Sequence, residues 1–563
     1  MDSGSESVES AETGYASPGW DFYIRRFFAS EAGASDHLIP RWIFLRALGL
    51  IYFSAFYSLV FQVRGLIGPN GILPASEYLQ LIAGSSVGLL RFWYAPSLLW
   101  SSSSSQMLLA LCWVGMIASL LLVLNVWPRA MLVVSFVCFL SFVVAARDFS
   151  GYQSDSMLLE AGFLSLFFAP PGLQPGLGRV NPPSRFSLFL LQWEWFRIYF
   201  ESGLVKLVSG DLQWRNFTAM DEYYQNCPLP TWIGWYVQHL PHWFHAGTVG
   251  ATLFMELGLV WMVWLPRRFR IILFFLVTVW EAGVILTANY AFLNYLVLTL
   301  GILLVDDRFL RNFLRAGRSL VAAQRSSDDS EPGLPAASSS AKPSQEPGSG
   351  WRSAFVRFYR PLNTAIVAAM LAWVFYASTA RLVWLLAPSA PLPMTPVRVL
   401  MPFRIADQYG LFAVMTRGLY EIEFQGSEDG KTWIAYPFRN KPQALAEAPG
   451  IYAPYQPRFD WNLWFASLGT WRDDAIVINT EVRLLSNDQD VLRLFAGNPF
   501  PQAAPRQVRA VFWRYWFTSI SEKRTTGNWW RREFLGLYAP SIELQPDGKI
   551  GVVEMPQEAG PRQ

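Results

Sequence analysis

Long apolar stretches, broken by short polar turns rich in Pro and Gly, fill the first two thirds of the chain. Windows at residues 42–61, 106–126, 130–146, 154–169, 187–208, 246–265, 270–287, 289–305 and 362–387 read as about nine membrane spans. The fourth is short and is weakened by Asp155 and Glu160. The seventh and eighth are nearly continuous, so a re-entrant hairpin is an alternative there. After residue 388 the pattern changes. Residues 420–425 (YEIEFQ) alternate, 426–430 (GSEDG) form a turn, and 431–438 return as a strand. Residues 460–468 read as a helix capped by Asp460, and 474–495 as helical up to the stop NPFP at 498–501. Residues 508–518 are again a strand. The fold class expected is a polytopic α-helical membrane bundle followed by an extracytoplasmic α+β domain with a β-sandwich-like part.

Composition supports the membrane reading. Of 563 residues 52% are hydrophobic and 15% are charged, against about 25% charged in soluble domains. Mean hydropathy is +0.23, and the 26 Trp suit membrane interfaces. A net charge of +3 gives no reason to expect nucleic acid as a partner. Residues 1–40 are polar and lack a signal-peptide pattern, so the first span is expected to act as the targeting signal. Residues 20–28 (WDFYIRRFF) read as a short interfacial helix.

Lys and Arg set the expected orientation. With the N-terminus in the cytoplasm, cytoplasmic segments carry eighteen of them, nine in residues 308–360. The opposite loops between spans carry only Arg64, Arg91, Arg147 and Arg215. By the positive-inside rule, residues after 388 then lie outside the cytoplasm. The expected domains are a cytoplasmic segment with its interfacial helix (1–40), a membrane bundle (41–323), a disordered cytoplasmic linker rich in Ser, Pro and Gly (324–350), a last membrane helix (351–389), and a lumenal or periplasmic domain (390–563).

The fifth span carries the densest candidate chemistry. Glu194, Arg197 and Glu201 fall on one helical face, so Arg197 can pair with Glu194 at i−3 and Glu201 at i+4. Each charge costs roughly 2.5–3.5 kcal/mol near the bilayer centre, so the stripe should face protein or a wet cavity. Lys206 lies off the stripe near the outer boundary, where it can snorkel. Glu256 and Glu281, in the sixth and seventh spans, can face this group. Asp407 and Arg404 follow the last span closely and can help seat the outer domain. The stripe reads either as an internal ion-pair network or as a polar site for a substrate or proton.

Other motifs add less. His239, His242 and His245 cluster, but no Cys or acidic companion has metal-site spacing and Pro241 breaks a shared helix face, so no metal is expected. Three cysteines without a CxxC imply no thioredoxin-like site. GxSxG, Walker, HExxH and dinucleotide-binding patterns are missing, and no cofactor is expected. Asn216-Phe217-Thr218 is a glycosylation sequon on the expected outer side.

Several segments together resemble the lipase maturation factor family: residues 41–73 (RWIFLRALGLIYFSAFYSLVFQVRGLIGPNGIL), 155–163 (DSMLLEAGF), 200–214 (FESGLVKLVSGDLQW) with 223–241 (YYQNCPLPTWIGWYVQHLP), then 421–433 (EIEFQGSEDGKTW), 455–469 (YQPRFDWNLWFASLG) and 498–501 (NPFP). The resemblance implies a chaperone-like protein of the endoplasmic reticulum membrane, or of the inner membrane in a bacterium, that assists folding and assembly of secreted lipases. Its partners would be a secreted lipase or other secreted client, and membrane lipid. The C-terminal domain would contact the client, with Arg458, Asp460, Trp461 and Trp464 as the expected contact residues. The segment around 198–214 also faintly resembles the membrane domain of vitamin K-dependent γ-carboxylases, which points to a distantly shared bundle. The alternative function is an integral-membrane enzyme that modifies a lipid or protein through Glu194, Arg197, Glu201 and Lys206.

Overall fold

A computed structural model describes the backbone of residues 27–28, 33–85, 88–313 and 350–557, with side chains in the last stretch from residue 362. Helices cover each apolar window. They are α1 (Leu38–Ile67), α2 (Ser105–Val123), α3 (Pro128–Ala145), α4 (Gln153–Phe168), α5 (Arg185–Val208), α6 (His242–Leu257), α7 (Arg267–Thr287), α8 (Leu293–Gly301) and α9 (Gly350–Leu386). A 3-10 turn at Leu259–Trp264 prolongs α6. Among the described residues six stretches are long and apolar enough to cross a membrane: α1, α2, α3, His242–Trp264, α7 and Leu362–Leu386 of α9. The ninefold expectation is therefore met only in this coarser form. At about 1.5 Å per residue, α4 and α8 fall short of the roughly 30 Å hydrocarbon core, and α5 is long enough but carries its charges.

Local chemistry sets several boundaries. The Ser104 side chain accepts from the Met107 amide at the start of α2, and Ser184 does the same for Ser187 at the start of α5. Pro128 opens α3 at a position where its missing N–H costs nothing. α1 and α2 approach closely through small residues. A Cβ on Gly115 would fall within 2.3 Å of the Phe56 ring, and one on Gly49 within 2.9 Å of Val123.

The helices run between two distinct ends. At one end, Arg41 donates to the carbonyls of Leu177, Gly178 and Asn181, Arg129 donates to Ala169, and Arg267 pairs with Asp306. At the other, connections after α1, α3, α5 and α7 meet the C-terminal domain. Arg64 pairs with Asp490, Arg458 reaches the Phe149 carbonyl, Met415 N–H donates to Asp211, and Asn289 bonds the Gly450 carbonyl.

The C-terminal domain is built on one antiparallel sheet: β1 (Leu419–Ser427), β2 (Ile434–Ala435), β3 (Gln507–Phe517), β4 (Trp530–Leu537), β5 (Ser541–Leu544) and β6 (Ile550–Glu554). The order is β2-β1-β3-β5-β6, with β4 also pairing β3. Among the described residues there is one sheet, not two facing sheets, so the β-sandwich-like part is not found. Helices α10 (Arg458–Ser467) and α11 (Ala475–Leu485) cover the face carrying Ile422, Phe424, Ala510 and Phe512. Period-two alternation makes this face apolar, with Phe424 stacked near Phe459. The return strand is only two residues long, because the chain leaves the sheet after Ala435 to lie over its other face. The helical stretch 474–495 is split: Asp474 caps α11, and Asp488 caps a further short turn at Gln489–Leu492. Most of the 20–28 helix and residues 324–349 of the linker lie outside the described residues.

Candidate functional site

The charged face of α5 is buried inside protein and holds the C-terminal domain. Arg197, Glu194 and Glu201 are each 0% exposed. Arg197 forms its main ion pair with Glu160 of α4 and reaches Glu201 more loosely at 3.9 Å. The expected i−3 pairing with Glu194 does not form. Glu194 instead lies in the field of Glu160 and Arg197, beside the Ala161 amide of α4. The helical wheel placed these residues correctly, but a neighbouring helix supplied a better-positioned carboxylate.

Residues 407–416, the chain between α9 and β1, form a strap bound by this face. Arg197 donates to the Asp407 carbonyl at 2.7 Å. Tyr409 N–H donates to Glu201 at 2.5 Å and its hydroxyl to Glu160 at 2.6 Å. Gly410 N–H donates to Gln153, Leu411 N–H to Ser202, and Met415 N–H to Asp211. Trp214 donates to the Phe412 carbonyl at 3.0 Å. Irregular backbone at this depth is tolerated because side chains satisfy its amides and carbonyls. Gly410 permits the close approach, since a Cβ there would sit 3.0 Å from Val205. Asp407 also pairs with Arg381 and Arg404, at 3.5 and 3.8 Å, as expected of a seating residue.

Lys206 does not snorkel. It is 1% exposed, pairs with Glu256 at 2.8 Å and donates to the Leu411 carbonyl at 3.0 Å. The strap reaches down to it, and so removes the water that snorkelling requires. Glu281 lies apart, accepting from Tyr199 and, at 2.6 Å, from Asn294.

A second seam lies under α10. Arg458 and Asp155, both 0% exposed, form a bidentate pair at 2.7 and 2.8 Å. Gln62 of α1 donates to the Gln456 carbonyl, and Asn462 bonds Tyr152. The residues expected to meet a client are therefore interior: Arg458 0%, Asp460 2%, Trp461 6% and Trp464 8% exposed. The Trp461 ring lies tilted against Tyr152, with centroids 4.8 Å apart, and Trp464 packs with Trp235, Tyr515 and Trp530. Asp460 is not a helix cap. α10 starts two residues earlier, and the Asp460 carboxylate accepts from Asn440 at 2.6 Å. Burial pushes its pKa up to about 6, and likewise that of Glu421, paired with Lys441, up to about 7.

The histidines separate. His239 bonds the carbonyls of Trp235 and Thr518, His242 meets Asp221, and His245 is buried beside Tyr224. Among the described residues no group of three or more His, Cys, Asp or Glu is placed to hold a metal.

One open feature of the domain is a cleft of about 490 Å³ on the sheet face away from α10 and α11. Glu423, Gln425, Trp513 and Arg532 form its floor, and Trp433 and Arg439 lie at its side. Arg532 stacks 4.0 Å over Trp513 and bonds Glu423 at 3.4 Å. Arg509 stacks 4.0 Å over Trp433. Sequence reading missed this cleft, together with Glu160, Tyr409 and Gln62. Asp155 and Glu160 were visible as charges in an apolar window, and that was the usable signal.

Residues 39–312 match a family described as the lipase maturation factor transmembrane domain, and residues 405–540 match the lipase maturation factor C-terminal domain. The cattle (Bos taurus) protein named lipase maturation factor 1 is 30% identical over 531 residues, covering 91% of this chain and 90% of its own length. Human (Homo sapiens) lipase maturation factor 1 is 30% identical, covering 96% and 95%. Human lipase maturation factor 2 is 29% identical, covering 90% and 83%. No solved structure matches. With relatives aligned along nearly its whole length, through the bundle, the strap and the sheet, this integral membrane chain belongs to the lipase maturation factor family.

Proposed function

We propose that the chain is a membrane-held maturation factor that assists a secreted lipase through its C-terminal domain. The observation that carries this reading is the agreement of relatives named lipase maturation factors with both parts of the chain, in order. The contact surface is the cleft lined by Trp433, Trp513 and Arg532, which combines aromatic faces with stacked guanidinium groups in the way protein-binding surfaces do. Arg458, Asp460, Trp461 and Trp464 act from beneath, fixing that surface relative to the membrane. The stripe Glu194, Arg197 and Glu201 is filled by the strap, which favours holding over intramembrane chemistry.

The C-terminal domain faces the lumen of the endoplasmic reticulum, or the periplasm in a bacterium. Support comes from the Lys and Arg asymmetry and from the exposed Asn216 sequon, which lies in a connection at the domain end of the bundle. Residues 1–40 and 324–350 then lie in the cytoplasm, the bundle spans 41–323, and 351–389 is the last membrane helix.

The test is lipase activity secreted from cells lacking their own maturation factor. The full chain restores it, and the paired Trp433→Ala, Arg532→Ala variant reduces it while remaining membrane-inserted and folded. Equal rescue by that variant removes the cleft from the proposal. Equal rescue and equal lipase capture by a chain lacking residues 390–563 removes the whole reading.

A further inference from the structure

A second polar group lies within the bundle and, unlike the strap seam, leaves space. Where α5, α6, α7 and α8 meet, a cavity of about 80 Å³ is bordered by Lys206, Glu256 and Glu281 among apolar walls that include Trp280, Val284 and Val297. The Lys206 ammonium has no donor left over, since it bonds Glu256 Oε1 at 2.8 Å, the Leu411 carbonyl at 3.0 Å and the Ser202 carbonyl at 3.3 Å. Glu281 is occupied by Tyr199 and Asn294. Glu256 Oε2 is enclosed and has no hydrogen-bond partner. A buried acceptor left unmade costs roughly 1–3 kcal/mol, and more when charged.

The chemistry of that vacancy selects its occupant. It presents one unpartnered charged acceptor, with the neutral hydroxyls of Ser202, Thr252 and Tyr223 also on the lining and Lys206 as its one cation, already paired. An anionic head would meet Glu256 and Glu281 with no unpaired cation to bind it. A cationic head would meet the Lys206 ammonium, already 5.1 Å over the Trp214 ring. A neutral hydroxyl satisfies the site without adding charge. The access side is also defined. α6 packs on α5 and α7 packs on α8, and α7 meets the α6 stretch mainly through the 3-10 turn between them. Their outer faces are apolar and exposed, with Phe254 at 63% and Val279 at 74%, and both stretches are suited to a membrane.

We propose that this cavity binds the hydroxyl end of an uncharged lipid alcohol from the bilayer, the hydroxyl donating to Glu256 Oε2 and the tail leaving between α6 and α7. The test uses the full chain in lipid nanodiscs with three photoreactive alkyne probes: a diacylglycerol, a sterol and a fatty acid. At least one alcohol probe labels residues 249–257 and 277–285 about tenfold more than the acid, as expected for one hydrogen bond to a charged acceptor. Excess unlabelled alcohol removes this labelling. The stronger of the two alcohol probes names the source. Val284→Trp, or Val297→Phe should the first not fold, fills the space, keeps the Lys206–Glu256 pair and abolishes competed labelling with the unfolding temperature unchanged. Equal labelling by the acid, labelling that alcohol does not compete, or full labelling of the folded, filled variant overturns the proposal and leaves a hydrated cavity only.

Discussion

Two ion pairs on α5 lie nine residues apart and solve the same problem differently. Arg197 with Glu160 and Glu201 is closed over by backbone, since the strap delivers the Asp407 carbonyl, the Tyr409 amide and the Tyr409 hydroxyl into the group. Lys206 with Glu256 takes only the Leu411 carbonyl from the strap and borders a cavity. Desolvating a charge is costly, and what repays it is the number of well-placed partners. The first group spends its partners on joining two domains. Each group keeps a carboxylate oxygen without a hydrogen-bond partner, Glu201 Oε1 in the first and Glu256 Oε2 in the second, but only the second borders a cavity, and so has room for something other than the chain itself.

The comparison breaks most visibly at Arg197. Arg197→Ala leaves Glu160 and Glu201 buried without a cation and removes the donor to Asp407. About 3–5 kcal/mol of stability is expected to go, with new protease cleavage within residues 390–416. Unchanged cleavage and unfolding temperature would falsify the anchoring role. Asp155→Ala and Arg458→Ala should each cost a similar ~3–5 kcal/mol, because each strands a charge at 0% exposure. The pair Asp155→Leu with Arg458→Met should recover most of that loss in the same melt; strictly additive losses would show the two residues not to be coupled.

Lys206→Met is expected to cost less than Arg197→Ala, roughly 1–3 kcal/mol, since water entering the cavity can solvate Glu256. A larger loss than Arg197→Ala would reverse the comparison. The pH response comes next. Asp460 and Glu421 hold protons in the folded domain up to about pH 6 and 7, against usual values of 3.8 and 4.5. Between about pH 4 and 7 the folded state therefore binds more protons than the unfolded one, and their contribution to stability falls as pH rises. Asp460→Asn should flatten that slope in pH-dependent melts, and an unchanged slope would rule Asp460 out as its source. The smallest effect on stability is expected from Trp433→Ala at the cleft side, within about 0.5 kcal/mol. Lipase rescue should drop all the same, whereas a large loss of stability would recast the cleft as core.

The elements were legible in the residues because their signals are local. Apolar windows located the helices, alternation located β1 and β3, and the charges at Asp155, Glu160, Arg197 and Lys206 marked positions that had to face protein. What failed was partnership. Arg197 was assigned a carboxylate on its own helix and took one from α4. Lys206 was given solvent and received a backbone carbonyl from 205 residues away. Arg458, Trp461 and Trp464 looked like a contact surface because aromatic and Arg-rich segments suit either an interface or a packed seam, and composition does not separate the two.

By itself the sequence determined a membrane bundle joined to an α+β domain, the family, and which intramembrane residues had to be charged. Hydropathy, periodicity and motif order are properties of neighbouring residues, and they persist whatever the chain packs against. Only the tertiary structure decided that residues 407–416 enter the bundle, that Arg458 meets Asp155, that the open face of the sheet carries the cleft, and that Glu256 keeps an oxygen free. Those outcomes depend on which of several equally suitable carboxylates, carbonyls and amides is brought within hydrogen-bonding distance, and that is settled by the packing of helices distant in the chain.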